Sequence, residues 1–269
     1  MFLKEIDFAE MYKEHKSVTD FKGKSSGDWD DKSKEMAVSV QKSPYVDDFI
    51  SRMQISADDT VLDIGCGPGT LAIPLAKQVK EVIAIDFSAK MLEELEKYAK
   101  EEGLTNIKTY HLSWEDDWSV LPQVDIAVAS RSFEVKDIDN ALSKMNEKVK
   151  KACYITYKAG GSFVDTDILD YIGKKIVMKP DFWYIPMILY KKGHFPYVDY
   201  IATSKGSIKS QNEDEFVESL IWSLGSLDEA QQDKAREYYK EFIEKQHQKP
   251  KPFTWAFVSW NTQKSGFLK

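Results

Sequence analysis

Residues 61–70 read Val-Leu-Asp-Ile-Gly-Cys-Gly-Pro-Gly-Thr, an apolar run holding one acid and then glycine at every second position. This is the pattern of a buried strand that turns sharply into a helix. Glycine suits a tight turn whose backbone a ligand approaches closely. The start of the following helix offers free N–H groups and a partial positive charge, both suited to a carboxylate. Asp63 adds an acid on the same rim, so the turn fits a ligand with both an amino and a carboxylate group. The dinucleotide fingerprint needs its last glycine one place later, where this chain has Thr70. That departure argues against a nicotinamide-dependent oxidoreductase.

From residue 60 onward strand and helix patterns alternate. Strands are expected at 61–64, 81–86, 107–112, 125–129 and 152–157, with helices at 70–79, 88–102 and 137–149 between them. Ser88 is a suitable N-cap and Gly103 a stop for the second of these helices. Such alternation predicts a parallel sheet with helices on both faces. Before it, residues 19–34 are polar and irregular in pattern. A helix is expected over 32–53, broken or kinked at Pro44. After Gly160 the pattern changes. A strand is expected at 197–202, then helices at 213–224 and 228–246, the latter opened by a Ser226/Glu229 capping box. A last strand follows at 253–260.

The turn Asp63, Gly65, Cys66, Gly67, Pro68, Gly69, Thr70 resembles motif I of the class I S-adenosylmethionine-dependent methyltransferases. The resemblance covers residues 45–160. It implies a doubly wound, mostly parallel, seven-stranded Rossmann-like α/β sheet with helices on both faces, whose last two strands come from the C-terminal part. Residues 1–44 would form an N-terminal helical lid with Trp29, 45–160 the cofactor-binding core, and 161–269 the rest of the same domain, with a helical insertion before the last strand. The implied cofactor is S-adenosylmethionine, and the product S-adenosylhomocysteine. Asp86, ending the second strand, has the chemistry to accept both ribose hydroxyls. Phe87 and Met91 would touch the adenine face. Ser113, the backbone of Trp114, and Glu115 would meet its edge, although the family's common Asp-Ala form is replaced here. Ser130 completes the cofactor set at the end of the fourth strand.

The acceptor is less legible. Residues 182–200 are dense in aromatics, which either line an acceptor pocket or pack a lid. Tyr184, Tyr190, His194 and Arg131 are the candidate catalytic residues. A net charge of −7 disfavours a nucleic-acid partner, so a small-molecule acceptor is expected. RNA or protein methylation and non-catalytic cofactor binding stay as alternatives. The two cysteines, Cys66 and Cys153, are too few for a disulfide framework. Cys153 lacks the sequence context of pyrimidine C5-methylating enzymes. The four histidines show no zinc spacing, and Asp165 and Asp167 read as loop acids, so no metal is expected. Without a signal-peptide pattern at the N-terminus or an apolar stretch of roughly 18 residues, the chain is expected to be cytoplasmic, away from membranes.

Overall fold

Thr60–Ile64 (β1) and Glu81–Asp86 (β2) are buried along nearly their whole length, as strands covered on both faces must be. The computed structural model describes residues 5–21, 23–39, 44–206, 210–245 and 252–263. In it these strands join Ile107–His111 (β3), Val124–Ser130 (β4), Val149–Lys158 (β5), Tyr197–Gly206 (β6) and Pro252–Asn261 (β7). The seven-stranded sheet has the order β3-β2-β1-β4-β5-β7-β6. The first five strands pair in parallel, while β7 runs antiparallel to both β5 and β6. The expected fold class is therefore the observed one. Because β2 and β4 flank β1 on opposite sides, the chain reverses its winding there, and the carboxyl ends of β1 and β4 border a crevice of the kind that binds ligands.

Alternation along the strands sends side chains to two apolar layers. Leu62, Ile64, Ile83 and Ile85 face one cluster, with Ile138–Lys148 (α6) and Tyr184–Lys191 (α8) packed over it. Val61, Val82 and Ala84 face the other, beneath Pro44–Ser51 (α3), Ala72–Ala76 (α4) and Ala89–Glu101 (α5). Helix α5 starts where expected, since Ser88 Oγ accepts the Met91 N–H at 3.2 Å. A third apolar cluster joins Thr166–Ile172 (α7), Glu213–Leu224 (α9) and Glu229–Tyr238 (α10) with Phe21. Helices α9 and α10 lie between β6 and β7 in the chain, as the expected insertion does.

Several local expectations are corrected. The helix expected over 32–53 is two, Ser26–Ser39 (α2) and α3, so the segment read as irregular is partly helical. Pro44 opens α3, where its fixed φ and missing N–H cost nothing; residues 40–43 lie outside the described residues. Phe8–Val18 (α1) begins at Asp7, whose carboxylate caps it. Helix α10 is capped by Asp228 with Gln231, not by Ser226 with Glu229, and continues as a π-helical turn, Tyr239–Glu244. Residues 245–246 of the expected helix fall after that turn, residue 246 outside the described residues. Among the described residues no helix is long and apolar enough to cross a membrane.

Candidate functional site

The glycine turn follows β1 directly. Gly65 and Gly67 have φ of 66° and 54°, a region that only glycine occupies without strain. A Cβ on Gly65 would stand 2.4 Å from that of Ser132, whereas one on Gly67 would meet nothing within 4 Å. The turn is thus packed on one side and open on the other. Backbone bonds from Gly65 and Cys66 to the Ile85 carbonyl, 2.8 and 3.1 Å, pin it to the end of β2.

Asp63 and Asp86 end up beside each other under this turn. Asp63 is 2% exposed, and its Oδ2 has no hydrogen-bond partner. Burial, with the Asp86 charge beside it, pushes the Asp63 carboxyl up to about 7. A buried carboxylate oxygen without a partner is costly unless a ligand supplies one. Asp86 is better satisfied. Its Oδ2 accepts the Gly67 N–H at 2.8 Å and its Oδ1 the Ser88 N–H at 2.9 Å. Burial still raises its pKa against those bonds.

Around this pair stand the other residues expected from sequence. Met91 is buried and Phe87 half-buried at the start of α5. Ser113 and Trp114 follow β3, whose His111 pairs with Asp86. There Ser113 closes a turn on Asp116, its N–H donating at 2.7 Å. The Trp114 indole donates to the Ser132 carbonyl at 2.9 Å, and its ring meets Phe133 edge-on. Glu115 is exposed. Cys66 is buried, its thiol pushed well up by burial, and its side chain lies in the apolar layer under α3, α4 and α5.

Sequence reasoning missed the hydroxyl cluster at the ends of β4 and β5. The Tyr45 hydroxyl lies 2.8 Å from Ser130 Oγ and 2.6 Å from Thr156 Oγ1. Burial raises the Tyr45 pKa, so the phenol keeps its proton. Ser130 and Thr156 are register partners on adjacent strands, and hydroxyls closing two neighbouring parallel strands were the available signal. Arg131, next in the chain, is the one described non-glycine residue with positive φ, 61°. Its N–H donates to Thr156 Oγ1 at 3.1 Å, and its guanidinium lies 4.7 Å from the centre of the Tyr45 ring. Asp30 was missed too. It accepts from Ser88 Oγ, tying α2 to the start of α5, while Trp29 meets Trp222 of α9 at 6.0 Å.

Two candidate catalytic residues are displaced from the site. His194 is 2% exposed, and its Nδ1 lies 3.0 Å from the Asn261 carbonyl. Asn261 pairs with Ala152 near the start of β5, so His194 sits at the opposite rim of the sheet from the glycine turn. Tyr190 lies at that same rim, its ring tilted against that of Phe195 at 6.0 Å. Helix α8 carries the chain across the sheet, which is why these aromatics leave the site. Tyr184, in its first turn, packs on α1, 5.6 Å from the Tyr12 ring and with its hydroxyl 3.2 Å from His15 Nδ1. His194→Ala is therefore expected to lower stability by about 1–3 kcal/mol, by leaving buried polar groups unpaired. Cofactor affinity, measured calorimetrically on the folded variant, stays unchanged. Asp165 caps α7, accepting the Asp167 N–H at 3.2 Å. A cleft of about 300 Å³ lined by Glu96, Lys100, Thr105 and Thr109, between α5 and β3, includes none of these residues.

Comparison with known proteins agrees with the geometry. A family model described as a methyltransferase domain matches residues 61–152. A Haemophilus influenzae protein described as uncharacterized is 32% identical over 98% of this chain and all of its own length. The 23S rRNA (uracil(1939)-C(5))-methyltransferase RlmD of the same organism is 26% identical over 51% of this chain, which spans only 32% of that enzyme. Among solved structures, the YcgJ protein from Bacillus subtilis shares the fold, with a TM-score of 0.58 and 15% identity, over 82% of this chain and 99% of that one. With the motif I turn, the sheet order and the domain match in agreement, the chain belongs to the class I S-adenosylmethionine-dependent methyltransferases, with S-adenosylmethionine as its cofactor.

Proposed function

We propose that this methyltransferase acts on a small-molecule acceptor held where β4 and β5 end and β7 begins, beside a cofactor seated on the glycine turn. The observation that carries the cofactor placement is the unpartnered Asp63 Oδ2. It suits the ammonium of the methionine end, and the open side of Gly67 leaves room for close approach. Asp86 would take the ribose hydroxyls with its remaining lone pairs. Phe87, Met91 and the turn at Ser113 and Trp114 would enclose the adenine. Helix α2, latched to Ser88 through Asp30 and to α9 through Trp29, serves as the lid.

When bound, the cofactor supplies a methyl group already activated by its positive sulfonium. What remains for the protein is alignment and exclusion of water. Tyr45, Ser130 and Thr156 form a fixed hydroxyl cluster on the acceptor side of Asp63, placed to orient a polar atom of the acceptor. With its pKa raised, Tyr45 works as a neutral hydrogen-bonding group and takes no proton from the acceptor.

RNA is the competing acceptor, favoured by the segment shared with the rRNA enzyme. Against it stand the acidic net charge of −7 and the burial of both cysteines, whose thiols are pushed up and so are poor nucleophiles. The test is transfer of labelled methyl from S-adenosylmethionine into a cell extract separated by size. Label is expected in the low-mass fraction; label in RNA or protein instead would overturn the proposal.

A further inference from the structure

Beyond Tyr45 the acceptor side continues as a wall of aromatic rings. Tyr45 lies 6.3 Å from Trp255, Trp255 5.9 Å from Phe163, and Phe163 5.9 Å from Phe253. The inner two, Tyr45 and Trp255, are buried, while Phe163 and Phe253 are half-buried at the rim. Three of the four rings carry a cation. Arg131 stands over Tyr45 at 4.7 Å, Lys179 over Phe163 at 4.8 Å and Lys158 over Phe253 at 5.2 Å.

Their compensation is incomplete. Lys179 pairs with Glu134 at 2.7 Å. Among the described residues Lys158 donates to the carbonyl of the next residue, Ala159, and Arg131 is exposed with its guanidinium over the Tyr45 ring. Neither has an ion-pair partner among the described residues. The nearby acid, Asp181, is occupied by the Gly160 and Phe182 N–H groups at 3.1 and 2.7 Å. The strands bring the two cations to one rim, since Ser130 pairs with Thr156 and Lys158 lies just beyond it on β5. Burial lowers the Lys158 pKa, with Asp181 opposing. An exposed guanidinium and a half-buried ammonium beside ring faces are suited to an anionic, planar guest.

We infer that the acceptor is a planar, largely apolar molecule bearing an anionic group such as a carboxylate, its flat part against Phe163 and Phe253 and its anion held by Arg131 and Lys158. This rests on the small-molecule reading of the site given above. A mostly apolar wall with a few convergent polar groups is the usual make-up of such a site, and charge-assisted bonds to a carboxylate would fix the orientation.

Benzoate and its neutral counterpart benzamide are the probes, added to the full chain saturated with S-adenosylhomocysteine. Benzoate is expected to raise the melting temperature and benzamide to leave it unchanged. Arg131→Gln and Lys158→Gln should each weaken benzoate about tenfold, with S-adenosylhomocysteine affinity unchanged. Equal effects of the two probes, or none from either, would overturn the inference. So would a loss of S-adenosylhomocysteine affinity in Arg131→Gln, which would give that side chain to the cofactor. Small molecules of the extract, passed over an anion exchanger before the labelling assay, separate this inference from the reading beneath it. Acceptor activity is expected in the retained fraction. Activity in the flow-through alone removes the anionic acceptor and leaves small-molecule methylation standing. Label in neither fraction removes both.

Discussion

The Asp63→Asn protein is expected to melt at a higher temperature than its parent at pH 8, while binding S-adenosylmethionine about a hundredfold more weakly. Both effects come from one buried carboxyl. Folding moves Asp63 from the ordinary 3.8 up to about 7, chiefly through burial and then through the charge of Asp86. A group whose pKa is raised on folding contributes stability that is fully present below its unfolded pKa and lost as pH rises through the folded value. The parent without cofactor should therefore weaken between about pH 4 and pH 7, by a few kcal/mol at most. Asparagine has the same shape and no charge to bury, so the variant should lose that pH dependence. Cofactor affinity moves the other way. In the proposed placement the ammonium of the methionine end would pair with the ionised carboxylate, so the parent's affinity should rise by up to about tenfold per pH unit below pH 7 and then level off. Near pH 6.5, roughly the middle of that range, binding should release a fraction of a proton, read by calorimetry in buffers of different ionisation enthalpy. A parent whose affinity is flat from pH 5.5 to pH 8, with the variant binding equally well, would remove Asp63 from the cofactor site.

What the sequence disclosed follows a physical division. The strand–turn–helix at residues 61–76 and the Ser88 cap were legible because their chemistry is local: apolar runs, glycines demanded by positive φ, and a hydroxyl three residues before the N–H it accepts. Asp63 and Asp86 were legible because each is an acid at or one residue before the end of an apolar strand. His194 and Tyr190 were misplaced because their position depends on α8 crossing the sheet and on β7 running antiparallel to β5, and no local pattern encodes either. Tyr45 and Thr156 bond across 111 residues of chain, so neither looked exceptional within its own segment. At α10 two capping patterns overlap in sequence. Asp228 prevails over Ser226, with its carboxylate on the Gln231 N–H at 2.8 Å and the Gln231 side chain returning to the Asp228 N–H at 3.2 Å. Binary patterning locates an element to within a turn, and the cap that closes both bonds sets the boundary.

Asp86 gives the second large effect, and the structure changes what its removal should do. From sequence alone, Asp86→Ala would weaken the cofactor and leave the fold intact, since a carboxylate facing a ribose has only a ligand to lose. Here the same carboxylate holds the Gly67 and Ser88 N–H groups at 2.8 and 2.9 Å. It therefore shapes the glycine turn and the start of α5 before any ligand arrives. Alanine would leave both donors in a region where Asp86 itself is only 5% exposed. Each lost bond to a charged group costs about 1.5–3 kcal/mol, so Asp86→Ala should lose roughly 2–4 kcal/mol of stability, allowing for water entering the gap. Cofactor affinity should fall about tenfold to a hundredfold, from the ribose bonds and the loosened turn together. Asp86→Asn separates the two contributions. Its carbonyl oxygen can keep one backbone N–H, so most of the stability should return, while its amide could not accept from a second ribose hydroxyl as the carboxylate would. Denaturant unfolding and cofactor titration on both variants decide the matter. Full stability in Asp86→Ala would show that the turn holds itself, and parental affinity in Asp86→Asn would show that the ribose is bound elsewhere.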